Sequence, residues 1–141
     1  MLDILATPAL LDLEAAYARR GHTLRFVGGC VRDLLCCEVP KDIDLHTDAT
    51  PEEQLALYRD IGVEHHLTGF EHGTLTVVLA DGKSYEITSY RKDVATDGRR
   101  ATVAYSRDLH DDLARRDLTI NAMSVGFDES LYDPFGGAED L

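Results

Sequence analysis

The segment GGCVRDLLCCEVPKDIDLHTD constrains the fold of this chain more than any other stretch of its sequence. The apolar run HTLRFV before it predicts a short buried strand, which ends at the two glycines because adjacent glycines mark a turn. CVRDLLC then predicts a helix. KDIDLHT alternates apolar and polar residues, which is typical of a half-buried strand with Ile43 and Leu45 on one face. Asp42, Asp44 and His46 then fall on the opposite face.

The other segments predict an α+β fold in which most strands follow one another and pair antiparallel. Thr50 is expected to cap a helix, with Glu53 completing a capping box. Asp81-Gly82 lies between two alternating runs and is a strong hairpin signal. Asp108 is predicted to cap a further short helix. The length predicts one domain over residues 1–141.

Two predictions concern less regular parts of the chain. Residues 91–106, RKDVATDGRRATVAYS, are rich in charge and contain Asp97-Gly98, so they are predicted to form a mobile loop. Cys30, Cys36 and Cys37 form no CxxC pattern, which argues against a zinc site or a disulfide framework. These cysteines are predicted to be small apolar side chains on a buried helix face.

The formal net charge of −12 argues against an independent nucleic-acid binder, since such domains usually carry a basic patch. If the chain binds a nucleic acid, most of the contacts are expected to come from outside this sequence or from a few clustered arginines. The longest uncharged apolar runs are too short to span a bilayer. The N-terminus has acidic residues early and no basic region of the kind that opens a signal peptide. A cytoplasmic protein is therefore predicted.

Asp42 and Asp44 are the first candidate site. Residues i and i+2 of a strand point to one face, roughly 6–7 Å apart along the backbone. Two carboxylates this close repel each other unless a cation lies between them. Oxygen ligands suit Mg²⁺, which commonly takes one or two carboxylates together with substrate phosphates. The alternative is a pair of surface acids on a solvated strand.

Gly28 and Gly29 strengthen this interpretation. Glycines between a strand and a helix let the backbone approach a phosphate, although a tight turn alone also requires them. Arg32 lies one turn into the helix and can reach phosphate oxygens, or else pair with a nearby acid. Glu86 on a neighbouring strand can complete a two-metal site, or be an ordinary exposed residue. Together these groups are typical of phosphoryl transfer.

On these residues the sequence resembles the head domain of class II tRNA nucleotidyltransferases (CCA-adding enzymes) and of the similar bacterial poly(A) polymerases. The resemblance rests on five segments that run in the family's order over residues 26–141. They are FVGGCVRDLL, KDIDLHTDATPEE, GFEHGTLTVVLADGKSYEITSYR, ARRDLTINAMSV and LYDPFGGAEDL.

The resemblance implies a nucleotidyltransferase (polymerase beta-like) fold, with a small mixed, mostly antiparallel sheet flanked by helices. It implies transfer of CMP or AMP from CTP or ATP to a tRNA or other RNA 3′ end, with release of pyrophosphate. By position, Asp42 and Asp44 bind metal and Glu86 is the third catalytic carboxylate, with two Mg²⁺ ions expected. The nucleotide-binding positions that it implies are Gly28, Gly29, Arg32, Arg91, Arg115, Arg116, Asp117 and Asn121.

Family members continue from this head into a neck, whose EDxxR-type motif selects the incoming base, and into basic regions that hold tRNA. Nothing in this sequence matches those regions, which agrees with its acidic charge. The end of the chain inside a family motif favours an excised head domain over a stand-alone enzyme. A poly(A) polymerase head, a nucleotide-binding module inactive without its neck, and a free-standing enzyme that modifies a protein or an RNA end stay open as alternatives.

Overall fold

The computed structural model describes residues 5–40, 42–96 and 100–141. These residues form four α-helices, nine strands and short 3₁₀ turns. The helices are α1 (Pro8–Arg19), α2 (Gly29–Leu35), α3 (Pro51–Ile61) and α4 (Leu109–Ala114). The strands are β1 (Leu24–Val27), β2 (Asp44–Thr47), β3 (Glu64–Gly69), β4 (Thr74–Val78), β5 (Ser84–Ser89), β6 (Arg91–Thr96), β7 (Arg100–Tyr105), β8 (Ser124–Gly126) and β9 (Leu131–Tyr132).

Seven of the strands form one sheet in the order β3-β4-β5-β2-β1-β8-β9. Among the described strands of this sheet, β2 and β5 are the only neighbours that pair in parallel; the others are antiparallel. The parallel pair needs a crossover, which α3 and the β3–β4 hairpin provide. The predicted α+β class, with a mixed and mostly antiparallel sheet flanked by helices, is confirmed.

The alternation along each central strand decides what lies on the two faces of the sheet. Leu45 of β2, Ile87 of β5 and Phe26 of β1 are buried in the main core with the apolar sides of α1, α2 and α3. The opposite face carries Asp44, His46 and Glu86, and α4 covers only part of it through Leu113. The acidic end of β2 and β5 is therefore open to solvent, while His46 on the same face is completely buried.

The local signals at helix and hairpin ends are confirmed. Thr50 accepts from the backbone N–H of Glu53 at 3.2 Å, and the Glu53 carboxylate accepts from the N–H of Thr50 at 2.9 Å. Gly82 has φ +78° in the turn between β4 and β5. Asp108 caps α4 by accepting from the N–H of His110 at 2.9 Å.

The predicted mobile loop over residues 91–106 is wrong. Residues 91–96 and 100–105 form β6 and β7, which pair antiparallel from Arg91↔Tyr105 to Thr96↔Arg100. Valines and threonines between the charges favour a strand, and pairing satisfies the backbone groups. The Asp97-Gly98 part of that prediction lies outside the described residues.

Among the described residues, no helix is long and apolar enough to cross a membrane.

The cysteine prediction holds for one residue of three. Cys30 is buried in α2, but that helix ends at Leu35, so Cys36 and Cys37 are exposed in the turn that follows. Cys37 has φ +59°, a conformation that L-residues rarely adopt. The apolar pattern of the helix did not reveal where the helix stops.

We expect a thiol reagent such as Ellman's reagent to modify Cys36 and Cys37 in the native protein and to reach Cys30 only after denaturation. Burial raises the pKa of the Cys30 thiol, and its S–H donates to the Val27 carbonyl at 3.4 Å. Counting released thiolate with and without denaturant checks this. A Cys30→Ala variant should keep both fast thiols, and three fast native thiols in the parent chain would contradict the packing of α2.

Candidate functional site

Three carboxylates meet at one end of the central strands. Asp44 opens β2 and lies directly beside Glu86 of β5 in the parallel register. Asp42 precedes the strand by two residues, and all three line an open cleft of about 800 Å³ together with Lys83 and Thr76. Asp42, Asp44 and Glu86 are called the acidic cleft below. The predicted closeness of Asp42 and Asp44 to Glu86 is confirmed, although β2 begins only at Asp44.

The carboxylates of the acidic cleft repel one another. Partial burial raises the pKa of the Asp44 carboxyl, although the residue stays exposed at the end of its strand, and the negative charges of Glu86 and Asp42 raise it further. The positive charge of Arg116 acts in the opposite direction. The site therefore favours a cation in its midst.

The donor set fits a hard divalent cation such as Mg²⁺, because every candidate ligand is a carboxylate oxygen in an open cleft. Among the residues that the structure describes, no group of three histidine, cysteine or acidic side chains forms a preassembled metal site. Magnesium does not require such a group, since it keeps waters and takes substrate phosphates as further ligands.

A glycine turn lies next to the acidic cleft, between β1 and α2. Gly28 has φ +78° and ψ −135°, a backbone conformation that glycine adopts far more easily than other residues. A Cβ built on Gly28 would lie 3.6 Å from Nη1 of Arg116, and one on Gly29 would lie 3.3 Å from Nη2 of Arg32. Two guanidinium groups, one from α2 and one from the segment that follows α4, therefore border the same short stretch of backbone.

Other arginines extend this positive region. Burial lowers the pKa of the Arg91 guanidinium, and the charges of Arg115 and Arg116 lower it further. Arg115 pairs with Asp93 at 3.3 Å, and Arg32 pairs with Asp33 at the same distance. Arg32, Arg91, Arg115 and Arg116 are called the arginine group below. In a chain of net charge −12, this concentration of positive charge is suited to an anion.

Two further predicted residues lie close by. Asp117 is exposed one residue beyond Arg116. Asn121 is half-buried at the end of the 3₁₀ turn Thr119–Asn121, which packs against α2. The backbone N–H of Gly28 donates to the Met123 carbonyl at 3.3 Å, so the segment after that turn is bonded to the glycine turn itself. The roles of Asp117 and Asn121 stay predictions.

Sequence reasoning missed two buried polar residues behind this site. His46 was predicted on the polar face with the acids, and it does point to that side of the sheet, but it is completely buried beneath α4. Its Nδ1 lies 2.9 Å from Oδ2 of Asp112, which is also buried. The spacing of Asp112 and Arg116, four residues apart on a predicted helix, was the available signal.

The comparisons with known proteins agree with this arrangement. Residues 24–141 match the family model described as the poly(A) polymerase head domain. The chain belongs to this family of head domains. The resemblance noted from the sequence motifs is thereby confirmed.

Relatives of this head domain carry a consistent name. The head domain is 44% identical over 140 residues to the mitochondrial CCA tRNA nucleotidyltransferase 1 of Danio rerio, and the match covers 99% of this chain and 32% of that protein. It is also 44% identical over 138 residues to the CCA-adding enzyme of Oceanobacillus iheyensis, covering 96% of this chain and 32% of that protein. The chain thus spans about a third of the length of these relatives.

Solved structures give the same fold. The CCA-adding enzyme of Bacillus stearothermophilus in complex with CTP superposes with a TM-score of 0.79 at 36% identity, over 94% of this chain and 31% of that one. A tRNA nucleotidyltransferase complexed with a primer tRNA and an incoming ATP analog superposes with a TM-score of 0.67 at 31% identity, over 91% and 36%. The head domain therefore has the nucleotidyltransferase fold.

We expect Gly28→Ala to weaken triphosphate binding and to destabilise the head domain by about 1–3 kcal/mol, the usual cost of a non-glycine residue in such a conformation. A Cβ there would make only an ordinary contact with Arg116, so the cost comes from the backbone rather than from a clash. Calorimetry with CTP and chemical denaturation measure the two effects.

Gly21→Ala is the matched control for that variant, because Gly21 has φ +77° and nothing lies within 4 Å of the position that an added Cβ would take. It should lose some stability and keep its affinity for CTP. Equal affinities in Gly28→Ala and Gly21→Ala would show that the glycine turn does not approach the ligand.

Proposed function

We propose that this head domain transfers CMP or AMP from CTP or ATP to the 3′-hydroxyl of a tRNA, with release of pyrophosphate. The observation that carries the proposal is the meeting of the acidic cleft with the arginine group. Asp44 and Glu86 are in register on adjacent strands, and Arg116, whose charge acts on Asp44, also borders Gly28. Phosphoryl transfer relies mainly on positioning and on charge stabilisation, which these groups are equipped to provide.

The acids and arginines have complementary roles in this proposal. Asp42 and Asp44 would hold Mg²⁺, with Glu86 as the third catalytic carboxylate and two ions expected. When bound, the metal would stabilise charge on the triphosphate and favour the ionised form of the attacking hydroxyl. The arginine group would bind and orient the phosphates, and the open backbone at Gly28 and Gly29 would let them approach closely.

The ribose contacts are proposed for the segment after α4. A carboxylate or amide can hydrogen-bond both ribose hydroxyls, and a contact to the 2′-hydroxyl separates ribonucleotides from deoxyribonucleotides. Asp117 and Asn121 are the proposed residues. Support comes from the position of Asn121 in a turn that packs against α2, beside the glycine turn.

The names of the relatives and the ligands in their solved structures support CCA addition. The chain spans about a third of those proteins and carries a net charge of −12. We therefore propose that most of the tRNA contact comes from regions outside this domain, and that the domain alone binds triphosphates weakly and with little preference among bases.

A cytoplasmic location is proposed, while the Danio rerio relative is named as mitochondrial.

Two other functions have specific support. The matching family model is described as a poly(A) polymerase head, which favours addition of repeated A as the second candidate. The arginines beside the glycine turn would bind a triphosphate whether or not transfer follows, so a module that binds nucleotide without turnover is the third candidate.

The test incubates the chain with labelled CTP or ATP, Mg²⁺ and a tRNA that lacks its 3′ CCA, with chelator as the control. Ordered incorporation of C, C and A supports the proposal, and long A tails support the polymerase. Binding of CTP without incorporation supports the inactive module. Neither binding nor incorporation would overturn all three.

A further inference from the structure

We propose that Asp112 is a positioning residue for the triphosphate site: it holds Arg116 and the start of β6 beside the glycine turn, and His46 anchors it to the strand that carries Asp44. This inference rests on the proposed function, because it concerns how the same site is prepared for its ligand. Neither residue was predicted to have a role from the sequence.

Asp112 is the meeting point of three elements. Its Oδ2 accepts from Nδ1 of His46 on β2 at 2.9 Å and from Nη2 of Arg116 at 3.4 Å. Its Oδ1 accepts from the backbone N–H of Arg91, the first residue of β6, at 3.1 Å. One carboxylate that is only 2% exposed therefore links α4, β2 and β6.

One set of hydrogen-bond directions satisfies every donor and acceptor along the series Arg25, Ser124, His46 and Asp112. Nε of Arg25 has only a hydrogen to offer, so it donates to Oγ of Ser124 at 2.8 Å. An ionised Asp112 can only accept, so the hydrogen of a neutral His46 lies on Nδ1, which donates to Asp112 at 2.9 Å. Nε2 of His46 then accepts from the Ser124 hydroxyl at 2.7 Å. A neutral imidazole and an ionised carboxylate satisfy every partner.

The charge of Asp112 is maintained by its partners. Burial by itself would raise the pKa of the Asp112 carboxyl, but the hydrogen bond from His46, the charge of Arg116 and the hydrogen bond from the backbone N–H of Arg91 lower it below its ordinary value. A buried carboxylate without such partners would be strongly unfavourable. Asp112 is therefore a fixed countercharge beneath the arginine group.

Arg91 and Arg116 keep hydrogen-bond donors that Asp112 does not use. Arg116 uses Nη2 to bind Asp112, while its Nη1 borders Gly28. The Nε atoms of Arg91 and Arg116 are buried and have no acceptor among the described residues. Asp112 thus fixes the guanidinium of Arg116 through one nitrogen and the backbone of Arg91 through its N–H, without using all the donors of either side chain. This preorganisation favours an incoming anion.

The first experiment compares Asp112→Asn with Asp111→Asn in binding CTP and inorganic tripolyphosphate with Mg²⁺. Asp111 lies on the same helix and accepts from the Ser106 hydroxyl at 2.7 Å, so it is a matched control outside the arginine group. We expect about a tenfold to hundredfold loss of affinity for both ligands in Asp112→Asn, the range for one charge-assisted hydrogen bond. Unchanged affinity in a folded Asp112→Asn protein would overturn the proposal.

A double-mutant cycle separates positioning from a merely structural role. If Asp112 acts through Arg116, adding Asp112→Asn to Arg116→Gln should cost little further affinity. A full additional loss in the double variant would show that Asp112 supports the fold instead, and would overturn the proposal.

A measurement on the ligand-free parent chain keeps the proposal testable if Asp112→Asn does not fold. NMR relaxation of the arginine Nε–H groups should find Arg116 rigid and the exposed Arg59 mobile. Equal mobility would overturn the positioning role. This measurement is independent of turnover, so a chain that binds no triphosphate but keeps Arg116 rigid would overturn the proposed function and leave the positioning of Arg116 supported.

Discussion

Asp44→Asn is expected to abolish nucleotidyl transfer while slightly stabilising the ligand-free head domain. Loss of a metal-binding carboxylate removes several kcal/mol of transition-state stabilisation, which corresponds to about a thousandfold or more in rate. The same substitution removes a negative charge that Glu86 and Asp42 repel. Because Asp44 is exposed and solvent screens it, the gain in unfolding free energy should be roughly a few tenths of a kcal/mol.

Transfer assays on a protein containing this head, and thermal unfolding of the chain with and without Mg²⁺ and CTP, measure the two effects. The parent chain should gain stability when both are added, and Asp44→Asn should not. Asp12→Asn makes the same chemical change on the exposed side of α1, away from the acidic cleft, and should behave as the parent. Near-normal transfer by Asp44→Asn would refute the metal assignment.

Gly137→Ala is expected to cost about 3 kcal/mol or more of unfolding free energy, or to prevent folding. A Cβ on Gly137 would lie 2.1 Å from the carbonyl oxygen of Thr119 and 3.1 Å from Cγ of Met123. The first contact is with backbone, so no side-chain rotation relieves it, and the cost should reach or exceed the upper end for overpacking. The Thr119–Asn121 turn would have to move, and with it the proposed ribose contact at Asn121.

Gly136→Ala is the control for that prediction, because Gly136 has φ +72° but nothing within 4 Å of an added methyl group. It should lose only about 1–2 kcal/mol, the cost of the left-handed conformation. Urea denaturation followed by circular dichroism compares the two variants. Equal midpoints would mean that the final segment does not pack against the Thr119–Asn121 turn as described.

The site could be predicted where its residues are close in sequence, or where the alternation of side chains along a strand shows which residues share a face. Gly28 and Asp44 lie on either side of one short helix, and Glu86 follows from the alternation that buries Tyr85 and Ile87. The register that sets Asp44 directly beside Glu86 is a parallel pairing across forty-two residues, and no local pattern specifies it.

Local chemistry in the sequence determined the turns, the helix caps and which strand face carries acids, because these depend on neighbouring residues and on the period of the backbone. Only the tertiary structure decided that residues 91–96 and 100–105 pair as strands, that Cys36 and Cys37 are exposed, and that His46 is buried against Asp112. α4, which is distant in sequence from β2, covers His46 and also packs against β6, whereas the exposure of Cys36 and Cys37 follows from where α2 ends. The free energy of burial and of long-range hydrogen bonds belongs to that contact rather than to either segment alone.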